Sequence, residues 1–184
     1  MGNPLSVDAD RRARFEAVFD AAYVPVQRYV RRRGGGDETD DVVAETFMIV
    51  WRRLGDVPVD AVVPWCLGVA RRCLANQKRS TKRRARLWNR AAVQPLLFDE
   101  ESADPALTEA LAQLNEEQRE VLRLSAWEGL GAGEIATVLG ITPNAASIRL
   151  HRARRELADL LGAGKKADGA GHSSVEEPAR KEER

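Results

Sequence analysis

Asn144, Ser147, Ile148, His151, Arg152 and Arg155 recur at three- and four-residue spacing, while Ala146, Leu150, Ala153 and Leu157 take the opposite phase. On a helix, this pattern makes one apolar side and one side of amide, hydroxyl, imidazole and guanidinium groups. Such groups read base edges and grip phosphates in the DNA major groove. Asn144, Ser147 and Ile148 sit early, where a recognition helix meets bases, and Arg149 and Arg152 are placed for the backbone. A solvated amphipathic helix shares the pattern, so its surroundings decide. Upstream stand a short helical segment from Gly133 to Leu139, a tight Gly140-Ile141 turn and a helix start at Thr142-Pro143, which together make a helix-turn-helix.

A second constellation is cationic. Between Asp60 and Asp99 no acidic residue occurs, whereas Arg71, Arg72, Lys78, Arg79, Lys82, Arg83, Arg84, Arg86 and Arg90 all do. Holding an opened single strand needs cations along its backbone and a pocket or aromatic face for an unstacked base. Arg71, Arg72, Lys78 and Arg79 suit the phosphates, Asn76 a base edge, and the loop from Asp56 to Val63 a pocket wall. Trp65 has two readings, a stacking platform or a core residue just inside a helix start. A third group is acidic: Asp40, Asp41 and Glu45 open a helical stretch, where negative charge complements the helix dipole.

The elements that position these groups are helical. Phe15, Val18, Phe19, Ala22, Val26 and Tyr29 form one stripe, which Pro25 is expected to kink or restart. Gly34 to Gly36 stop it, and a second helix starts near Thr39 with Val43, Phe47, Val50, Trp51 and Leu54 in phase. Pro64 suits the first turn of a third helix carrying Trp65, Val69 and Cys73 into the basic stretch. Residues 91–106 contain two prolines and an acidic cluster without a period, a flexible linker reaching at most roughly 50 Å. Leu107, Leu111 and Leu114 begin a new stripe, Asn115 and Gln118 resemble a capping box, and Gly129 ends the helix that follows. Beyond Gly162 the chain is poor in apolar residues and is expected to be disordered.

Three of these stretches resemble a known family. GEIATVLGIT followed by RLHRAR resembles the promoter-reading helix-turn-helix of the extracytoplasmic-function (ECF) group of bacterial sigma factors, and DDVVAETFMIVWRRL resembles that group's polymerase-binding helix. In the latter, Asp41, Val42, Val43, Glu45, Thr46, Phe47, Trp51 and Arg52 match, and Ala44 replaces the usual glutamine. PWCLGVARRCLANQKRS is similar to the element that opens and reads the −10 sequence. Trp65, Leu67, Ala70 and Arg71 match, while Arg72 and Asn76 depart from the commoner Asn and Asp.

The resemblance implies an all-α fold of two small helical domains. A three-to-four-helix region 2 over 11–90 binds core RNA polymerase and reads and melts the −10 element. A region 4 helix-turn-helix over 107–161 reads the −35 element, with the linker 91–106 between them and a tail over 162–184. It implies core-polymerase contacts at Asp41, Glu45, Thr46, Phe47 and Arg52, with Asp41 and Glu45 pairing to cations on the clamp helices of the largest subunit. It implies −10 contacts at Trp65, Arg71, Arg72, Asn76, Lys78 and Arg79, and −35 contacts at Asn144, Ser147, Ile148, Arg149, His151 and Arg152. The expected partners are core RNA polymerase, promoter DNA and an anti-sigma factor.

The whole chain sets wide bounds. Its 184 residues allow two modules with small cores, and 43% hydrophobic against 31% charged residues is an ordinary globular balance. A net charge of +1 argues weakly against nucleic acid, but the uneven distribution reverses that. Cys66 and Cys73 share a helix face without the partners of a metal site and are expected to be reduced core residues. No signal-like or long apolar segment is evident, so a cytoplasmic chain is expected, with no direct membrane insertion, metal, cofactor or small-molecule substrate. An enzyme is disfavoured because no phosphate loop or paired His and carboxylate at metal spacing occurs. A helix-turn-helix regulator that does not act as a sigma subunit is the rival, and it leaves the motif from Asp41 to Arg52 unexplained.

Overall fold

The computed structural model describes residues 4–34, 39–87 and 104–169, and among them all regular structure is helical. α1 (Pro4–Gly34), α2 (Thr39–Arg52) and α3 (Val62–Leu87) pack pairwise against one another. Their core holds Val18, Ala22, Val26 and Tyr29 of the expected first stripe, joined by Val30, against Val43, Phe47 and Val50 of the second, joined by Val42, with Leu67, Val69, Ala70, Cys73 and Leu74 from the third helix; Trp51, expected in the second stripe, is exposed instead.

α1 differs from the sequence reading at two points. It begins before Phe15, the turns from Asp8 to Arg14 being wholly exposed, and it runs unbroken through Pro25. Proline removes one backbone hydrogen bond there. The full burial of Val26, Tyr29 and Val30 in the next turns offsets that loss, at about 1.5–3 kcal/mol for an aliphatic side chain.

α4 (Pro105–Gln113), α5 (Glu116–Ala126), α6 (Ala132–Leu139) and α7 (Pro143–Gly169) form the second group, with α7 packed on the other three. Asp104 caps α4 by accepting from the Ala106 amide at 3.0 Å, so helix begins inside the stretch read as linker. The capping box is present: Asn115 Oδ1 accepts from the Gln118 amide, and Gln118 Oε1 accepts from the Asn115 amide, both at 2.9 Å. Gly129 and Gly140 end the helices before them with φ of 68°, a conformation that glycine adopts without a Cβ penalty. α7 continues to Gly169, past the expected start of disorder at 162. The glycines 35 and 36, Trp88, Arg90, most of the linker and residues 170–184 lie outside the described residues.

The two groups do not keep separate cores. α3 packs against α6, and one apolar cluster runs from Val18 through Leu67 and Val138 to Ala153. At one close approach, a Cβ added to Gly68 would lie 3.2 Å from the Val138 carbonyl oxygen, so the two backbones meet there with no side chain between them.

Candidate functional site

α7 is seated by its apolar side, with Ala146, Leu150 and Ala153 buried against the bundle. The Thr142 hydroxyl accepts from the Ala145 amide at 3.2 Å and closes its first turn behind Gly140. That phase leaves Asn144, Ser147, Ile148, Arg149, His151 and Arg152 all exposed, as the sequence pattern requires. Ile148 keeps 43% of its surface in solvent, unusual for isoleucine and suited to contact with a thymine methyl. Arg149 has Glu117 of α5 at 3.6 Å.

On α3, Arg71, Arg72, Asn76, Lys78 and Arg79 are exposed on the outer side while Cys66, Leu67, Ala70, Cys73 and Leu74 hold the inner one. The Asn76 side-chain oxygen accepts from Arg79 Nη2. Trp65 is half-buried beneath Arg53, whose guanidinium lies 5.5 Å from the ring centroid. The indole therefore packs on one side and is covered by a cation on the other. Val59, in the loop before α3, is 89% exposed.

α2 divides the residues expected at the polymerase contact. Asp41, Glu45 and Arg52 are exposed on one face. Thr46 and Phe47 are buried instead: the Thr46 hydroxyl donates to the Val42 carbonyl at 2.7 Å, and the Phe47 ring packs 4.7 Å from Phe19. They share the helix phase of Val42, Val43 and Val50, so Thr46 holds the helix in place, while Phe47 both packs in the core and lines the surface hollow beside it. Ala44, Met48 and Trp51 fall in the exposed phase and, with Phe15, Phe47 and Arg52, line a surface hollow of about 370 Å³. Arg11 stacks over Trp51 at 4.7 Å and donates to its carbonyl oxygen at 3.0 Å. The face therefore runs from acidic through apolar to basic.

A fourth cluster joins the two groups of helices. Arg33, at the end of α1, donates through Nε to Glu120 at 3.2 Å and through Nη1 to Glu128 at 3.0 Å. The Tyr29 hydroxyl donates to Glu120 at 3.0 Å, and Arg33 lies over the Tyr29 ring at 3.8 Å. Burial, then the charge of Glu120, raises the Tyr29 pKa, so the phenol keeps the proton it donates.

The second group matches the family model for sigma-70 region 4 over residues 105–157. The RNA polymerase sigma factor CarQ of Myxococcus xanthus is 32% identical over 159 residues, covering 80% of this chain and 89% of that protein. The ECF RNA polymerase sigma factor SigL of Mycobacterium tuberculosis is 31% identical, over 81% of this chain and 89% of its own. This chain belongs to the ECF sigma factors. The fold of this ECF sigma factor is also that of the sigma factor RpoE, solved in complex with the anti-sigma factor NepR from Bartonella quintana. The TM-score there is 0.59 at 21% identity, over 83% of this chain and 97% of that one. CnrH, solved with the cytosolic domain of CnrY, gives 0.52 at 24% identity, over 81% and 88% of the two chains.

Sequence reasoning about this ECF sigma factor overlooked Met48 and Phe15 at the hollow and the whole Tyr29, Arg33, Glu120 and Glu128 cluster. Met48 carried a signal: it lies one turn beyond Ala44 and in phase with Glu45, an apolar residue on an otherwise polar face. Among the described residues no cluster of His, Cys, Asp and Glu could hold a metal ion, and no helix is long and apolar enough to cross a membrane.

Proposed function

We propose that α2 docks on core RNA polymerase through Asp41, Glu45 and Arg52 around an apolar anchor of Ala44, Met48 and Trp51. In this reading α3 reads and opens the −10 element, with Arg71, Arg72, Lys78 and Arg79 on phosphates and Asn76 and Trp65 toward the bases. α7 reads the −35 element through Asn144, Ser147, Ile148 and His151, with Arg149 and Arg152 on the backbone. The protein is an alternative sigma factor that binds core polymerase and directs promoter recognition, a role of transcription factors rather than of enzymes.

The observation that carries the residue assignments is the coexistence of two exposed faces on one chain. α7 presents base-reading groups behind a helix-turn-helix, and α2 presents an apolar strip that opens on Asp41 and Glu45, carboxylates that repel a polyanion such as DNA. RpoE and CnrH were solved with protein partners bound, and an anti-sigma factor is the corresponding partner expected here.

Transcription in vitro from genomic DNA with sigma-free core polymerase tests the function, with transcript 5′ ends mapped with and without the protein. New starts that share two upstream elements are expected. Absence of new starts together with absence of core binding refutes it.

A further inference from the structure

The first turns of α1 extend past the core that the rest of the helix serves. Every residue from Asp8 to Arg14 is exposed, so apolar burial does not account for helix there. Two arginines in these turns, three positions apart and therefore on one face, reach backbone carbonyls far along the chain. Arg11 donates to the Trp51 carbonyl at 3.0 Å and Arg14 to the Val57 carbonyl at 3.1 Å, partners 40 and 43 positions away. Trp51 stands in the last turn of α2, where carbonyls lack a partner within the helix, and Val57 follows the single helical turn Leu54–Asp56.

The two contacts bracket the connection between α2 and α3. Leu54 and Val57 are buried, and Arg53 pairs with Asp56 at 2.9 Å while covering the Trp65 ring. Beyond Val57 the chain runs outward through Pro58 to Val59, which is almost wholly exposed. It returns at Ala61, whose carbonyl accepts from the Trp65 amide at 3.0 Å as α3 begins. The Val57 carbonyl belongs to the peptide bond that leads into Pro58. Proline fixes φ on the far side of that bond, so the orientation of this one peptide sets the course of the chain to Val59. Arg14 holds that peptide from α1.

We propose that Arg14 is a positioning residue for opening of the −10 element: by gripping the Val57 carbonyl it holds residues 58–60 as a stiff wall, tipped by Val59, against which an unstacked base rests. Arg14 itself touches no DNA in this arrangement. The role rests on the reading of this connection as a pocket wall beside α3; the grip does not.

Hydrogen exchange in the free full-length chain tests the grip. A hydrogen bond from a charged donor shifts a local equilibrium by about tenfold. Arg14→Ala is therefore expected to speed exchange about tenfold in peptides covering residues 53–65, while peptides from the buried middle of α3 exchange as in wild type. Unchanged exchange over 53–65 overturns the proposal. Promoter opening by polymerase reconstituted with the full chain tests the role. It is read as the affinity of the initial complex and, separately, as the rate at which −10 thymines become reactive to permanganate. Arg14→Ala is expected to slow opening about three- to tenfold with initial affinity unchanged. Arg12→Ala removes a cation from another face of the same turns and is expected to leave both quantities as in wild type. Wild-type opening in Arg14→Ala, or equal slowing in Arg12→Ala, overturns the positioning role. Val59→Ser is expected to slow opening as well, and the double variant is expected to be no slower than the slower single one, because both changes act on one wall. Effects that multiply show that Arg14 does not act through the loop. If wild-type protein opens no promoter, the proposed function fails and the positioning role with it, while exchange still decides the grip.

Discussion

Arg149 and Arg152 sit on the same exposed face of α7, but Arg149 already has a carboxylate partner in Glu117 at 3.6 Å. Moving Arg149 to a phosphate exchanges one ion pair for another. Arg152 is therefore the sharper test of backbone contact. Arg152→Ala is expected to weaken −35 DNA binding by about 1 kcal/mol or more across sequences and to reduce the slope of log affinity against log salt by about 1. Titrations at several salt concentrations check this, and an unchanged slope counts against the contact. The two thiols give a second expectation. Burial pushes the Cys66 thiol up to about 12 and raises Cys73 as well, so both remain protonated at pH 8, where a free thiol near 8.5 is partly thiolate. Alkylation at pH 8, followed by mass spectrometry, is expected to be slow in the native chain and rapid in denaturant. Rapid native labelling contradicts this placement.

Among the elements, α5 depends on its first turn. Asn115→Ala removes the side-chain acceptor of the capping box and is expected to cost about 1 kcal/mol, read as a shift in the denaturation midpoint. That box was legible in the sequence because it is local, as were the Gly129 and Gly140 helix ends and the outward face of α7. Helical phase also gave the cores of α1, α2 and α3. What the sequence hid depended on tertiary context. Pro25 signals a break until the burial of its neighbours is known, and Asp8 to Arg14 lack the apolar stripe that would announce helix. Thr46 and Phe47 match the motif by type, but their phase turns both toward the core, and only Phe47 also reaches the hollow. Glu120 and Arg33 read as surface charges because their partnership spans 87 positions, beyond any periodic signal.

At the scale of the whole molecule, the docking role proposed for Asp41 and Glu45 can be tested apart from folding, since both are exposed and outside the buried core. Asp41→Arg with Glu45→Arg is expected to abolish core-polymerase binding while helix content and the unfolding midpoint stay near wild type. Wild-type affinity in that variant refutes the docking assignment. α1 gives this separation a limit. Its 31 residues span about 46 Å, with Arg11 and Phe15 bordering the hollow beside α2 in its first half and Tyr29, Arg32 and Arg33 holding α5 and the turn after it at its end. One helix carries both sets of contacts, so any strain that docking at the hollow sends along it is felt at α5, and such coupling is symmetric. By whatever factor docking there loosens the contacts with α5, loosening those contacts strengthens docking by the same factor. A molecule that tightens the contacts at α5 then weakens docking in equal measure without covering the α2 face.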